Sequence, residues 1–324
     1  MASRPRPTAR SGRLRRTLCA ALVTASVALP IAGAARPGAV PAPAPTAPAG
    51  VGPLDAPALA GRYATTRADI LSAEQAATGH GDHARAAALR TMADPARHFL
   101  LFDGRDGGRS VEVFGDLAAA RQLAVLVPGA DNSLDHYDRL RSGATALNDR
   151  LRGTHSAVLA WLGYRTPGTL DPAQTTAALA ERAAPPLDAF LAGLHTAAPA
   201  DRIALLCHSY GSVVCGRAAS GLTGVSDLVL YGSPGVGVPN ARALHTGATV
   251  WAGRGAGDWI AAVPHLRLPL LFTSVGFGTD PVSAEFGARI FPAGPGGHSD
   301  YLRPGSPALP ALARIVTGAA DTTP

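Results

Sequence analysis

Residues 203–219 read "IALLCHSYGSVVCGRAA". An apolar run leads into His208-Ser209-Tyr210-Gly211, and a second run of small apolar residues follows. A strand, a sharp turn and a helix in immediate succession would lift Ser209 to the top of a sheet, side chain free, with a helix N-terminus beneath it. Such an elbow needs a small residue two positions after the serine, and Gly211 supplies it. Two positions before, where strand and helix backbones approach closely and glycine is usual, the chain has Cys207. Cysteine is small enough to be accommodated, so the motif is weakened and not lost. A serine hydroxyl is a poor nucleophile at neutral pH. It needs a base, a group that orients the base, and donors for an oxyanion.

Outward from this stretch the pattern alternates. "HFLLFD" and "SVEVFGD" read as a hairpin around the Gly/Asp-rich turn "DGRDGGR". "QLAVLVPG" and "HSAVLAWLGY" are continuous apolar runs, as strands covered on both faces should be. In "PPLDAFLAGLHTAA", Leu187, Phe190, Leu191 and Leu194 share one helical face, with the Pro pair expected at the helix start. "SDLVLYGSPG", "ATVWAGRGAGD" and "ARIFPAG" continue the strands, and Leu309, Leu312, Ile315 and Val316 mark a closing amphipathic helix. Strands alternating with helices imply a mostly parallel sheet with helices on both faces, an α/β fold whose site lies at the carboxyl ends of the strands.

Partners for Ser209 fall at those ends. "ATVWAGRG" terminates at Gly255-Ala256-Gly257-Asp258, and "ARIFPAG" is followed by the Gly/Pro loop "PGGHSDY" carrying His298. Asp258 is the expected acid and His298 the expected base; Asp280 and His265 are the second choices. The backbone N–H groups of Tyr210 and Ala130 are the expected oxyanion donors, with Asp131 next. His208 is expected to pack or to shape the pocket. Ser233, in a strand-end turn before proline, lacks the elbow.

From about Arg97 to Tyr301 the chain resembles a family of bacterial α/β-hydrolase-like proteins of unassigned function. The pieces that carry the resemblance are "LLFD", "AVLVPG", "VLAWLGYRTP", "HSYGS", "DLVLYGSPGVG" and "HSDY". That family usually has glycine at the position of Cys207. More distantly, "LVLYGSPGVGVPN" followed by "GDWIAAVPHL" is similar to the region between nucleophile and acid in lipase-type hydrolases. The resemblance implies an α/β-hydrolase fold, and its order of nucleophile, acid and base matches Ser209, Asp258, His298.

The chain has 324 residues, 47% of them hydrophobic, and a formal charge of +6. Six arginines and no acid lie in the first 34 residues, leaving 23 basic against 23 acidic residues beyond them. The folded part therefore has no net basicity to support nucleic-acid binding. Residues 1–34 have the layout of a secretory signal: an arginine-rich start, the apolar "TLCAALVTASVALPIAGAA", and Ala32-Gly33-Ala34 as a cleavage site. Pro30 and Gly33 interrupt the run and argue against a spanning anchor, while Arg15-Arg16 leaves the export route open between Sec and twin-arginine. Residues 35–56 read as an extended Pro/Ala linker that builds no core, residues 57–94 as two helices broken at "TGHGDH", residues 95–319 as the α/β-hydrolase domain and 320–324 as a tail. Asp82 between His80 and His83 reads as a helix cap in preference to a metal ligand. Cys207 and Cys215, on a strand end and inside a helix, are expected to be unpaired small hydrophobes.

The expected function is a secreted serine hydrolase that cleaves carboxylic esters, esterase- or lipase-like, with a small-molecule or lipid ester as partner and transient contact with a lipid interface. No cofactor and no metal are implied. The alternatives are an acyltransferase or peptidase using the same residues, and a non-catalytic binding protein on a hydrolase scaffold.

Overall fold

Parity along the central strands explains the architecture. In β3 (Gln122–Val127), Leu123, Val125 and Val127 join one buried cluster while Ala124 and Leu126 join another. Strand β5 (Arg202–His208) divides in the same way, Ile203, Leu205 and Cys207 against Ala204 and Leu206. Side chains of a strand alternate between faces, so an unbroken apolar run means that both faces are covered.

The computed structural model describes residues 41–47, 50–168, 177–198, 200–263, 268–269, 274–275 and 277–322. They fall within one unit, Val40–Pro324. The expected export segment, residues 1–34, lies outside them, as does His265. Among the described residues no helix is long and apolar enough to cross a membrane.

Helices α1 (Ala56–His80) and α2 (His83–Met92) precede the hairpin β1 (His98–Asp103) and β2 (Arg109–Phe114). After β3 come α3 (Asp138–Arg150), β4 (Ser156–Leu162), α4 (Ala178–Ala197), β5 and α5 (Tyr210–Ala218). The chain continues through β6 (Asp227–Tyr231), β7 (Thr249–Gly253), the two-residue strands β8 (Leu268–Pro269) and β9 (Ser274–Val275), β10 (Arg289–Ile290) and α6 (Ala308–Val316). The eight-stranded sheet has the order β1-β2-β4-β3-β5-β6-β7-β10. Its first two pairings, β1 with β2 and β2 with β4, are antiparallel, and the rest are parallel. Helices α4 and α5 supply one cluster, and α3, α6 and much of α1 and α2 the other. This is the mostly parallel sheet, helices on both faces, that the alternation implied.

Two details differ from expectation. Helix α4 starts at Ala178, so Pro185 and Pro186 lie within it. A proline costs an internal helix its bond to the carbonyl four residues earlier. Here those carbonyls belong to Glu181 and Arg182, which like both prolines are exposed, so the lost bonds fall on the solvent side of the helix while Ala183, Leu187 and Leu191 keep the buried face. The end of the Pro/Ala segment is also packed: Val51 and Leu54 are buried in the core. The carboxylate of Asp69 on α1 accepts the N–H groups of Thr46 and Ala47 at 3.0 Å. Asp82 caps α2 through the N–H of Arg85, as read from sequence.

Outside the strand ends, a buried ion pair ties the hairpin to the segment before it. Arg97 Nε and Nη2 donate to the two carboxylate oxygens of Glu112 at 2.7 and 2.9 Å, and Glu112 is 1% exposed. Removing one partner of such a pair strands the other charge in the core. Glu112→Ala is therefore expected to lower unfolding free energy by about 3–5 kcal/mol in a denaturant titration.

Candidate active site

Ser209 caps α5 with φ 52° and ψ −126°, a left-handed backbone that a residue with a side chain rarely adopts. Its neighbours enforce it. The Ser209 N–H donates to Tyr231 O on β6 at 3.0 Å. A Cβ on Gly211 would lie 2.5 Å from Pro128 O and 2.6 Å from Val127 O, and one on Gly129 would lie 2.6 Å from Ser209 Cβ. The end of β3 therefore presses directly on the elbow, and both contact positions have to be glycine. Below the turn, Ser212 Oγ donates to Ser209 O at 2.6 Å and lies 2.6 Å from Ser233 Oγ. Ser233 is thus a buried support of the elbow.

The expectation of unpaired cysteines is corrected: Cys207 and Cys215 form a disulfide, with Cα atoms 6.5 Å apart and both residues fully buried. The elbow turns α5 back across β5, so a residue two before the serine and one six after it meet on the same face. That separation lies inside the range a disulfide spans. The position where glycine was expected thus carries one end of a covalent staple across the nucleophile turn.

The three residues singled out from sequence come together. His298 Nε2 lies 2.9 Å from Ser209 Oγ, and His298 Nδ1 lies 2.8 Å from Asp258 Oδ1. A carboxylate only accepts, so Nδ1 carries the proton and Nε2 presents its lone pair to the serine hydroxyl. Asp258, 3% exposed, follows β7, and its Oδ1 also accepts the N–H of Ile260 at 2.8 Å. Burial alone would raise its pKa, yet the hydrogen bonds from His298, Tyr301 and Ile260 outweigh it and hold the carboxyl below its usual value.

Two further residues support the triad: Tyr301, which the sequence does not single out, and His208, which packs as expected. Tyr301 donates its hydroxyl to Asp258 Oδ2 at 2.5 Å and accepts the N–H of Gly255 at 3.0 Å. Burial and the Asp258 contact raise its pKa far above that of a free phenol, so it stays a donor. His208 packs against Tyr231 and His298, ring centroids 5.0 and 4.8 Å away. Its Nε2 sits 2.7 Å from the backbone oxygen of His298. A carbonyl oxygen only accepts, so His208 is the donor and holds the loop that carries the base. The sequence signals were the spacing His298 to Tyr301 in "HSDY" and the polar residue ahead of Ser209; neither tells what the side chain would touch.

At the expected oxyanion site, Tyr210 opens α5, where first-turn N–H groups have no partner within the helix. Ala130 stands in the β3 loop beside Gly129. Its successors are engaged elsewhere: Asp131 N–H donates to Pro167 O at 2.9 Å and Asn132 N–H to Thr166 Oγ1 at 3.1 Å. This disfavours Asp131 as the second donor. Asp280, the alternative acid, pairs with Arg254 at 2.5 Å and caps its own turn at Val282 N–H.

Residues 103–268 match a family model described as alpha/beta hydrolase. An uncharacterized protein of Mycobacterium tuberculosis (strain ATCC 25618 / H37Rv) is 30% identical over 254 residues, covering 68% of this chain and 38% of its own length. An uncharacterized protein of Mycobacterium bovis is 31% identical over 186 residues, covering 51% of this chain and 70% of its own. The chain thus spans 38% of the length of the first of these relatives. Among solved structures, an α/β serine hydrolase without lid from Xanthomonas campestris aligns with TM-score 0.42 at 18% identity, over 71% of this chain and 98% of that one. A predicted CIB-like hydrolase from Thermoplasma acidophilum aligns with TM-score 0.44 at 13% identity, over 70% and 98%.

Two outcomes are expected. Replacing both cysteines, Cys207→Ala with Cys215→Ala, opens a loop whose ends are eight residues apart and should cost about 2–3 kcal/mol in urea unfolding. The second concerns His208, whose pKa is lowered from 6.5 to about 3 by burial first and by the charge of His298 next. The unfolded chain takes up this proton near pH 6.5 and the folded one only near 3, so stability is full above 6.5 and falls as pH drops between them. His208→Gln keeps a donor and removes the titration. Its stability, measured from pH 7 to 3.5, should decline less steeply than that of the parent.

Proposed function

We propose that this chain, which belongs to the α/β hydrolase family, is a secreted serine hydrolase that cleaves carboxylic esters. The observation that carries the reading is the unbroken Ser209–His298–Asp258 hydrogen-bond chain at the carboxyl ends of β5, β7 and β10. In this reaction His298 Nε2 takes the proton of Ser209 Oγ as the oxygen attacks the ester carbonyl. Asp258 keeps the imidazole in the required tautomer and balances its positive charge. The N–H groups of Tyr210 and Ala130 receive the oxyanion, beside the N-terminus of α5. The tetrahedral intermediate collapses, the C–O bond to the alcohol breaks, and His298 returns its proton to the departing alkoxide. Water then takes the place of the alcohol: His298 Nε2 removes its proton as the water oxygen bonds to the acyl carbon, the second tetrahedral intermediate collapses with cleavage of the acyl–Oγ bond, and His298 returns the proton to Ser209 Oγ as the carboxylic acid leaves.

The disulfide supports the extracytoplasmic part of the reading. Disulfides form and persist in oxidising compartments, and Cys207–Cys215 agrees in this with the secretory layout of residues 1–34.

The test is active-site labelling with a fluorophosphonate probe, the adduct located by peptide mass, together with turnover of simple esters. The parent is expected to be labelled on Ser209 and to hydrolyse ester. Ser209→Ala should fold with the same unfolding midpoint, take no label and lose at least ~10³-fold in kcat. Folded parent protein that takes no label and turns over no ester would favour a binding role for the scaffold.

A further inference from the structure

The 3₁₀ turn Trp259–Ala262 begins directly after Asp258. Its first residue is out of keeping with the rest of the chain. Trp259 is 52% exposed, whereas Trp161 and Trp251 are 2% and 7% exposed. Among the described residues only Ile290 is another large hydrophobic exposed to this degree. An indole that leaves half its surface in water forgoes much of its burial free energy. Trp259 is also not loosely placed. Asp258 Oδ1 accepts the N–H of Ile260 at 2.8 Å, and Ile260 is buried, so the turn is anchored on both sides of the indole. Its ring lies against His298, centroids 4.6 Å apart and planes tilted by 47°.

The position has a chemical consequence, which rests on the ester-hydrolase reading above. His298 must deliver its proton to the leaving oxygen, so the alcohol part of the ester has to sit beside that imidazole. The acyl part is held by Ser209 and the oxyanion donors. The exposed ring of Trp259, 4.6 Å from the imidazole, stands beside the group that must meet this alcohol. We propose that Trp259 is a specificity-determining residue, forming the wall of a leaving-group subsite that selects esters of aromatic or extended apolar alcohols. Stacking on an indole and removal of its exposed face from water favour such alcohols; a short alcohol reaches neither.

The test compares two esters that share an acyl group, one of ethanol and one of 2-naphthol, with the parent chain and with Trp259→Ala and Trp259→Phe. The readout is the ratio of kcat/KM for naphthyl over ethyl ester. Dividing by the same ratio of alkaline hydrolysis in the parent buffer removes the difference in leaving-group reactivity. Trp259→Ala is expected to lower the corrected ratio about tenfold, mainly through KM for the naphthyl ester, and Trp259→Phe to restore most of it. A ratio that stays constant overturns the proposal, whether both esters are unaffected or both slow equally because the ring only steadies His298. A second measurement is independent of turnover. In Ser209→Ala, the emission of the exposed indole should be quenched saturably by the naphthyl ester and not by the ethyl ester. Quenching without hydrolysis in the parent would retain the subsite while overturning the ester-hydrolase reading. Absence of quenching would overturn the subsite.

Discussion

A single backbone conformation, φ 52° at Ser209, organises the molecule around it. A non-glycine residue in this region costs about 1–3 kcal/mol, and it persists only where its surroundings leave no alternative. Those surroundings are long-range: the carbonyl of Tyr231 from the next strand, Gly129 pressing from the loop after β3, and Gly211 under the carbonyls of Val127 and Pro128. The Cys207–Cys215 bond closes the same turn covalently. Strain at the nucleophile is thus balanced by packing from the two neighbouring strands and by a cross-link within its own turn, with the serine in the interior of the sheet, on β5 between β3 and β6.

The base is held from a different direction. His298 rides on a Gly/Pro loop after the edge strand β10, a poor platform by itself. Three contacts compensate. Asp258 engages its Nδ1, Tyr301 and Ile260 N–H hold Asp258, and His208 grips the loop through the backbone oxygen of His298. His208 is next to Ser209 in the chain, so nucleophile and base are linked twice, once through Oγ and Nε2 and once through the backbone. Burial keeps His208 neutral, and a neutral ring beside His298 adds no repulsion when His298 takes its proton.

Where the structure departs from the pattern of the chain, the missing information is directional. Cys207 and Cys215 lie on the strand and helix that their neighbours imply, but their facing depends on how the elbow folds α5 across β5. Pro185-Pro186 look like a helix start locally; they sit inside α4 because the lost hydrogen bonds fall on its solvent side. The Pro/Ala segment carries no periodicity that would announce burial, yet Val51 and Leu54 find a core surface built from strands far along the chain. Asp258, the first choice for the acid, does meet His298, whereas Asp280, the second choice, is engaged elsewhere. Arg254 claims Asp280.

By itself the amino-acid order determined the succession of strands and helices, because continuous apolar runs between turn residues allow little else, and it determined the elbow, because His-Ser-Tyr-Gly between a strand and a helix has one compact solution. It also placed Ser209, Asp258 and His298 at strand ends in an order that a parallel sheet can bring together. Tertiary structure alone decided the disulfide, the hold of Tyr301 on the acid and of His208 on the base loop, and the exposure of Trp259 against the imidazole. Each of these depends on how groups on different elements are brought together in space. Such arrangements follow from the twist and packing of the sheet, which local patterns of hydrophobicity do not encode.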